Sequence, residues 1–279
     1  MRGALALRAS LVFFLFPAAA AAHEFVATVT LVEGQSTLID GPHGYVPAAG
    51  VRMRHADIIQ TGPKAFMQLE IDDGGMTELG PQTRFLLDLP YRRGEEPVIG
   101  PHYLLSGWVK YTVPKRAEGT PHRINTPHFD LVITAGVAVM QVAAEGGQFF
   151  VEGGEGVALE PSGRTTTRVV VRAGRTYSRK AGQKGALSDR PASAFVKAMP
   201  PEFRDTLPAR LSKLKARDVE PKPGLDYTYA DIKDWLQGDL EVRRALVPAI
   251  RAKAADPDFR AALIQNMEHH AEWNAILGR

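Results

Sequence analysis

Cysteine is absent from all 279 residues of the chain. That excludes a disulfide framework, a thiol nucleophile and a lipid-anchored cysteine, so an ordinary apolar core must hold the fold. The short signatures of common catalysis are missing too. There is no G-x-S-x-G elbow, no H-E-x-x-H and no G-x-x-x-x-G-K-[ST] phosphate loop. Long apolar runs are scarce. The one at Ala9 to Ala22 is 14 residues, short of the roughly 20 that span a bilayer.

What is present begins with that run. In "MRGALALRASLVFFLFPAAAAAHEF", Arg2 and Arg8 precede an apolar stretch and a small-residue A-x-A site. This is the three-part grammar of a secretory signal peptide. Residues 1–22 are therefore expected to be removed, leaving about 257 residues in a periplasmic or secreted location. No integral membrane segment is expected after cleavage.

Charge is unevenly placed. Residues 23–160 carry 10 basic and 17 acidic side chains, residues 161–184 carry 7 basic and none acidic, and residues 185–279 carry 15 basic and 14 acidic. The uniformly basic profile of a nucleic-acid binder is missing.

The chain changes grammar along its length. From Phe25 to about Tyr177 it reads as short, β-branched strands broken by glycine. "FVATVTLVEG" alternates across two faces, and Asp72-Asp73-Gly74-Gly75 reads as a hairpin turn after "AFMQLEI". "HFDLVIT", "GVAVMQVA", "GQFFVEGG" and "GVALEP" read as further separate strands, with "GGQFFVEGGEG" supplying paired turns. Strands at intervals of 8–12 residues imply an all-β sandwich, barrel or solenoid. After about Leu187 the period becomes helical. Phe203, Leu207, Leu211 and Leu214 form a stripe that Pro208 should kink or split. Thr228 with Asp231 reads as a capping box, and Asp256-Pro257 reads as a helix start. The predicted domains are a β-domain at 23–180 and an α-helical region at 181–279, packed partly on the β-domain.

The block "HADIIQTGPKAFMQLEIDDGGMTELGPQTRFLL" resembles the FecR-like domain family of exported bacterial proteins. Asp57, Ile59, Thr61-Gly62, Ala65, Leu69, Asp73-Gly74, Leu79-Gly80 and Thr83 carry the likeness. "LLSGWVKYTV", "INTPHFDLVITAGVAVMQV" and "FFVEGGEGVAL" follow in the family's order, so the resemblance covers roughly 26–180. It implies an exported, non-catalytic β-solenoid or irregular β-sheet stack that contacts other envelope components, here with a small helical appendage. The founding members carry a cytoplasmic anti-sigma region and a membrane helix, and only a signal peptide is legible in this chain, so that activity is not carried over. "ITAGVAVMQV" departs from the family's Gly-Thr pair, which leaves the register there open. Within the resemblance, Asp57, Thr61, Gly62, Asp73, Gly74 and Gly80 are structural turn positions. The glycines are expected to relieve positive φ, and the threonine hydroxyls to bond turn backbone.

Candidate chemistry is thin. Arg164, Arg168 and Arg172 share one strand parity, and Arg175, Arg179 and Lys180 follow. Guanidinium groups suit carboxylate or phosphate, so this run is the candidate site for an anionic partner, against the alternative of a charged strand edge that blocks aggregation. Tyr103, Trp108 and Tyr111 are expected in the core, because Trp108 and Tyr111 have opposite parity. His122 and His128 flank a Thr-Pro turn with no further ligand to complete a tetrahedral set. His269 and His270 point about 100° apart on a helix and are expected to be solvated. His23 would become the mature N-terminus, and an α-amine with imidazole can chelate copper. The expectation is no cofactor, no catalytic residue and no metal. An envelope protein or glycan is the expected partner, in a scaffold or sensing role. An N-terminal-histidine copper protein, or an envelope enzyme with no recognisable motif, is the alternative.

Overall fold

A computed structural model describes residues 25–71, 74–89, 99–115, 119–162, 165–214 and 219–278. The leader, His23, Asp73 and Arg164 lie outside them.

Strands dominate the first two-thirds. In order they are β1 (Phe25–Glu33), β2 (Ser36–Asp40), β3 (His43–Val46), β4 (Arg52–Arg54), β5 (Ile58–Thr61), β6 (Phe66–Ile71), β7 (Met76–Leu79), β8 (Arg84–Leu86), β9 (Ile99–Val113), β10 (His122–Asn125), β11 (Asp130–Ala143), β12 (Gly146–Ser162), β13 (Thr165–Arg172), β14 (Thr176–Lys180), β15 (Ala186–Ser188) and β16 (Lys222–Pro223). All sixteen belong to one open, mixed sheet, and β9 with β10 is its parallel pair. This order shows no clear solenoid repeat among the described residues. The chain is mainly β with helices at its C-terminal end. Among the described residues no helix is long and apolar enough to cross a membrane.

The sheet folds over on itself. Leu38, Ile59, Phe85 and Leu104 from one half meet Leu69, Leu79, Val109 and Tyr111 from the other in a single main core. This leaves two outer faces, and the C-terminal region covers both. On the first, Ile39, Ile58, Leu86 and Tyr103 turn outward by strand parity. They receive α3 (Tyr229–Leu236), α4 (Leu240–Ile250) and α5 (Pro257–Gln265) through Trp235, Leu246, Ile250 and Leu263. On the second, Phe66, Trp108 and Val139 receive Phe195 and Phe203. Those two phenylalanines lie on α1 (Ser193–Ala198), the first helix among the described residues, and on the 3-10 turn Pro201–Arg204. Coverage on both sides explains why β6 and β7 are buried at every position.

Local signals match the helix ends. Thr228 and Asp231 form a reciprocal capping box at α3, and the Asp256 carboxylate accepts from the backbone N–H groups of Asp258 and Phe259 at α5. Pro208 splits the predicted amphipathic helix. Among the described residues of that segment, Leu211–Leu214, α2, is helical downstream of it.

Three expectations are corrected. "HFDLVIT" and "GVAVMQVA" form one strand, β11, and "GQFFVEGG" and "GVALEP" form one strand, β12. Gly153-Gly154 is therefore no turn. It pairs in register with Val137 and Gly136, between two register shifts at Thr134 on β11 and Glu152 on β12, and a Cβ on Gly154 would lie 2.2 Å from the Ala135 carbonyl oxygen. Gly62 and Gly80 do not have positive φ, unlike Gly74 at φ 88° in the β6–β7 turn. They are glycine for want of space. A Cβ at 62 would lie 2.9 Å from the Gln35 carbonyl oxygen, and one at 80 would lie 2.9 Å from both Trp108 Cβ and Pro200 Cγ. His270 is fully buried, with Nε2 3.1 Å from the Tyr229 hydroxyl, where solvation was expected.

Candidate functional site

A concavity of about 810 Å³ lies between the outer face of β10–β13 and the start of α4. That size suits a small-molecule or peptide site. Its floor follows from strand register. Arg123 and Asn125 on β10 sit beside Val132 and Asp130 on β11. Next come Leu159 and Pro161 on β12, then Arg168 and Thr166 on β13. The opposite wall is Asp239, Leu240 and Glu241, which the α3–α4 connection brings over the sheet.

Two polar contacts fix this architecture. Arg123 Nη2 lies 2.5 Å from Asp130 Oδ2, and the Tyr103 hydroxyl donates to Asp239 Oδ2 at 2.5 Å across 136 residues of sequence. Burial raises the Asp130 carboxyl above its ordinary range. The Arg123 charge and hydrogen bond oppose that rise, and the nearby Asp239 charge adds to it. Burial also raises the Tyr103 phenol, reinforced by the Asp239 charge. Tyr103 is thus a neutral donor that orients an acid at the cleft wall. Arg168, also lining the cleft, is exposed and has no ion-pair or hydrogen-bond partner among the described residues.

The predicted cationic residues disperse. Arg168 and Arg172 stand on β13, and Arg172 lies 3.8 Å from Glu155. Arg175 pairs with Asp189 at 2.5 Å. Arg179 is held inward, donating to the carbonyls of Gln183, Pro161 and His128, with Glu160 at 3.7 Å. Lys180 is exposed at the end of β14, beside Gln141 and Gln148 in a shallower hollow of about 310 Å³. Of the turn positions, Asp57 is buried and accepts from the Arg54 backbone N–H at 2.8 Å, which closes the turn before β5. Burial and the Asp40 charge raise its carboxyl well above the ordinary value. His122 and His128 are internal, bonded to the Tyr111 hydroxyl and the Ala143 carbonyl at 2.7 Å each. No group of three or more His, Asp and Glu placed to hold a metal occurs among the described residues.

Sequence reasoning missed Asn125, Asp130, Asp239 and the orienting role of Tyr103. No local signal marks them, because the cleft exists only once the helical region docks on the sheet.

No family model matches the chain, and no curated protein matches it. Two crystal structures of a "putative anti-sigma factor" from Parabacteroides distasonis, at 2.50 and 1.65 Å resolution, are similar at 15% identity and a TM-score of 0.39. The likeness covers 50% of this chain, which spans only 64–65% of those neighbours. It is too slight to assign a fold or an activity. The class defined here is a mainly β protein with a helical C-terminal region and a mixed-charge cleft between the two.

Proposed function

We propose that the chain is an exported, non-catalytic binding protein of the bacterial cell envelope, with a scaffold or sensing role, and that it takes its partner in the cleft. Export rests on the leader grammar of residues 1–22, and the FecR-like reading rests on the residues quoted above. The observation that carries binding is Arg168. Among the described residues it is an unpaired guanidinium, on a cleft where Tyr103 orients Asp239 and Arg123 orients Asp130. Carboxylates tied in this way are suited to positioning a ligand more than to transferring protons. A partner with an acidic group over an aliphatic surface fits the Val132, Leu159 and Leu240 lining. Envelope glycans with carboxylates and acidic protein segments both meet that description. Nucleic acid does not, given the acids on the cleft wall.

The test compares the mature chain with Arg168→Glu on an acidic-glycan array and in capture from envelope extract. One ligand set should be retained by the native chain and lost by the variant. An identical set for both would remove the cleft from the proposal, and turnover of a captured glycan would overturn the non-catalytic reading. A C-terminal alkaline phosphatase fusion tests export separately, since it is active only outside the cytoplasm.

A further inference from the structure

The second outer face of the sheet is covered in an unusual way. Its middle rows carry Gln68, Glu70, Glu78 and Lys110, all buried. Buried polar groups need partners, and three of these side chains find theirs in the main chain of one segment. Lys110 Nζ donates to the carbonyls of Phe203 at 2.7 Å and Asp205 at 3.2 Å. The Gln68 amide donates to the Pro208 carbonyl at 3.5 Å, while its oxygen accepts from Thr30. The Glu70 carboxylate accepts from the backbone N–H groups of Arg210 and Leu211. Two aromatic rings accompany these contacts, and Phe195 lies against Trp108 with ring centroids 5.1 Å apart. Phe203 packs edge-on against Phe66, with Pro200 above Gly80 and Trp108.

Side chains on the sheet face thus read the backbone of an irregular strap, and two rings, Phe195 and Phe203, fill the apolar ground beside them. Few residues of the strap are buried. They are Phe195, Pro200 and Phe203, and the strap hangs between two strands fixed in the sheet, β15 on β14 and β16 on β3. Its small core of Phe66, Trp108, Val139, Phe195 and Phe203 is separate from the main core and from the helical one. Segments with few buried contacts open below the global unfolding free energy.

We propose that residues 195–211 are a detachable strap seated in a peptide-docking groove on β6, β7 and β9, and that this groove accepts in trans an irregular segment of a partner protein with an aromatic anchor on a tight turn and a downstream proline. The strap competes with that segment, so the apparent affinity of the native chain is lowered by the fraction of molecules with the strap closed. This surface is distinct from the cleft and stands whether or not the cleft binds.

A labelled peptide of residues 199–213 is the probe. Phe203→Ala in the otherwise native chain weakens only the cis anchor, and should bind the probe at least about tenfold tighter than the native chain does. Adding Lys110→Met should reverse that gain. Hydrogen exchange of the native chain provides a second measurement that needs no variant. The Arg210 and Leu211 amides should exchange faster than those of β6 and α5. Equal probe binding by the native chain and Phe203→Ala, or strap amides that exchange only with the sheet, would overturn the proposal. A concentration-dependent dimer of the native chain that disperses on adding the probe would also overturn it, by making a second copy the occupant.

Discussion

The Thr61 hydroxyl donates a 2.6 Å hydrogen bond to the Gly80 carbonyl and accepts one of 2.8 Å from the Thr83 N–H. Thr83 repeats the device one strand on, bonding the carbonyl and N–H of Trp108 at 3.0 and 2.9 Å. Two buried hydroxyls therefore join the ends of β5 and β7 to β9. Thr61→Val keeps the shape but leaves a buried carbonyl and N–H without these partners. It should cost roughly 1–3 kcal/mol, read as a lower urea midpoint at unchanged slope, and Thr61→Ser should recover most of the loss. Equal stability of the valine variant would mean that the hydroxyl contributes nothing.

The close approach of β11 and β12 between their two register shifts gives a second prediction. Gly154 has φ 76° and no room for a Cβ, whereas Gly174 has φ 84° with open space around it. Gly174→Ala should therefore show only backbone strain, of order 1 kcal/mol. Gly154→Ala adds a collision with backbone and should cost roughly 2–4 kcal/mol. Denaturant titration of the two variants separates conformation from space, and equal losses would deny the close approach.

The charged row under the strap predicts a pH effect. Burial pushes the Glu78 carboxyl up to about 7, with the Lys110 charge opposing and the Glu152 charge adding. A folded pKa above the unfolded one means that the native state holds the extra proton between the two values. Stability from this group therefore falls as pH rises from about 4.5 to 7, by on the order of 3 kcal/mol in all. Glu78→Gln mimics the protonated form. It should match the native chain near pH 5 and exceed it at pH 8 by roughly 1–3 kcal/mol. A constant difference between the two across that range would contradict the assignment.

Much of this fold is legible in local chemistry. The β6–β7 turn and the caps at Thr228 and Asp256 are contacts between near neighbours in sequence, so short patterns report them. Glu70 and Gln68 show the limit. On a strand with one solvated face they would point to water, and "FMQLEI" reads that way. They are buried because a segment about 140 residues later lies over them. Strand breaks at Gly136 and Gly153-Gly154 are misread for a related reason, since glycine marks a turn and a close backbone approach alike. α4 carries Pro248 in its interior, which masks its helical period. At the cleft, Arg168 is legible as an exposed cation on a strand. Its companions Asp239 and Tyr103 are not, because nothing local announces that they meet.

The helical region has its own pH dependence. Gln237 Nε2 donates to the Tyr229 hydroxyl at 2.9 Å, which leaves that hydroxyl to donate to His270 Nε2. The imidazole is thus held neutral with Nε2 as acceptor. Burial lowers its pKa below the ordinary value, with the His269 and Arg243 charges assisting and Glu272 opposing. A depressed folded value means that the unfolded chain binds more protons as pH falls through about 6.5, so this residue draws stability down on acidification. Protonation would also set an N–H against the Tyr229 O–H, between helices that bury Trp235, Phe259 and Trp273. His270→Gln cannot titrate. Between pH 8 and pH 5.5 the native chain should lose more thermal stability than the variant, and the excess should appear in a probe of the tail, such as tryptophan fluorescence. The variant is less stable at pH 8 if the neutral imidazole packs as described, so its curve must start lower and run flatter. Parallel curves would show that His270 titrates like an exposed histidine.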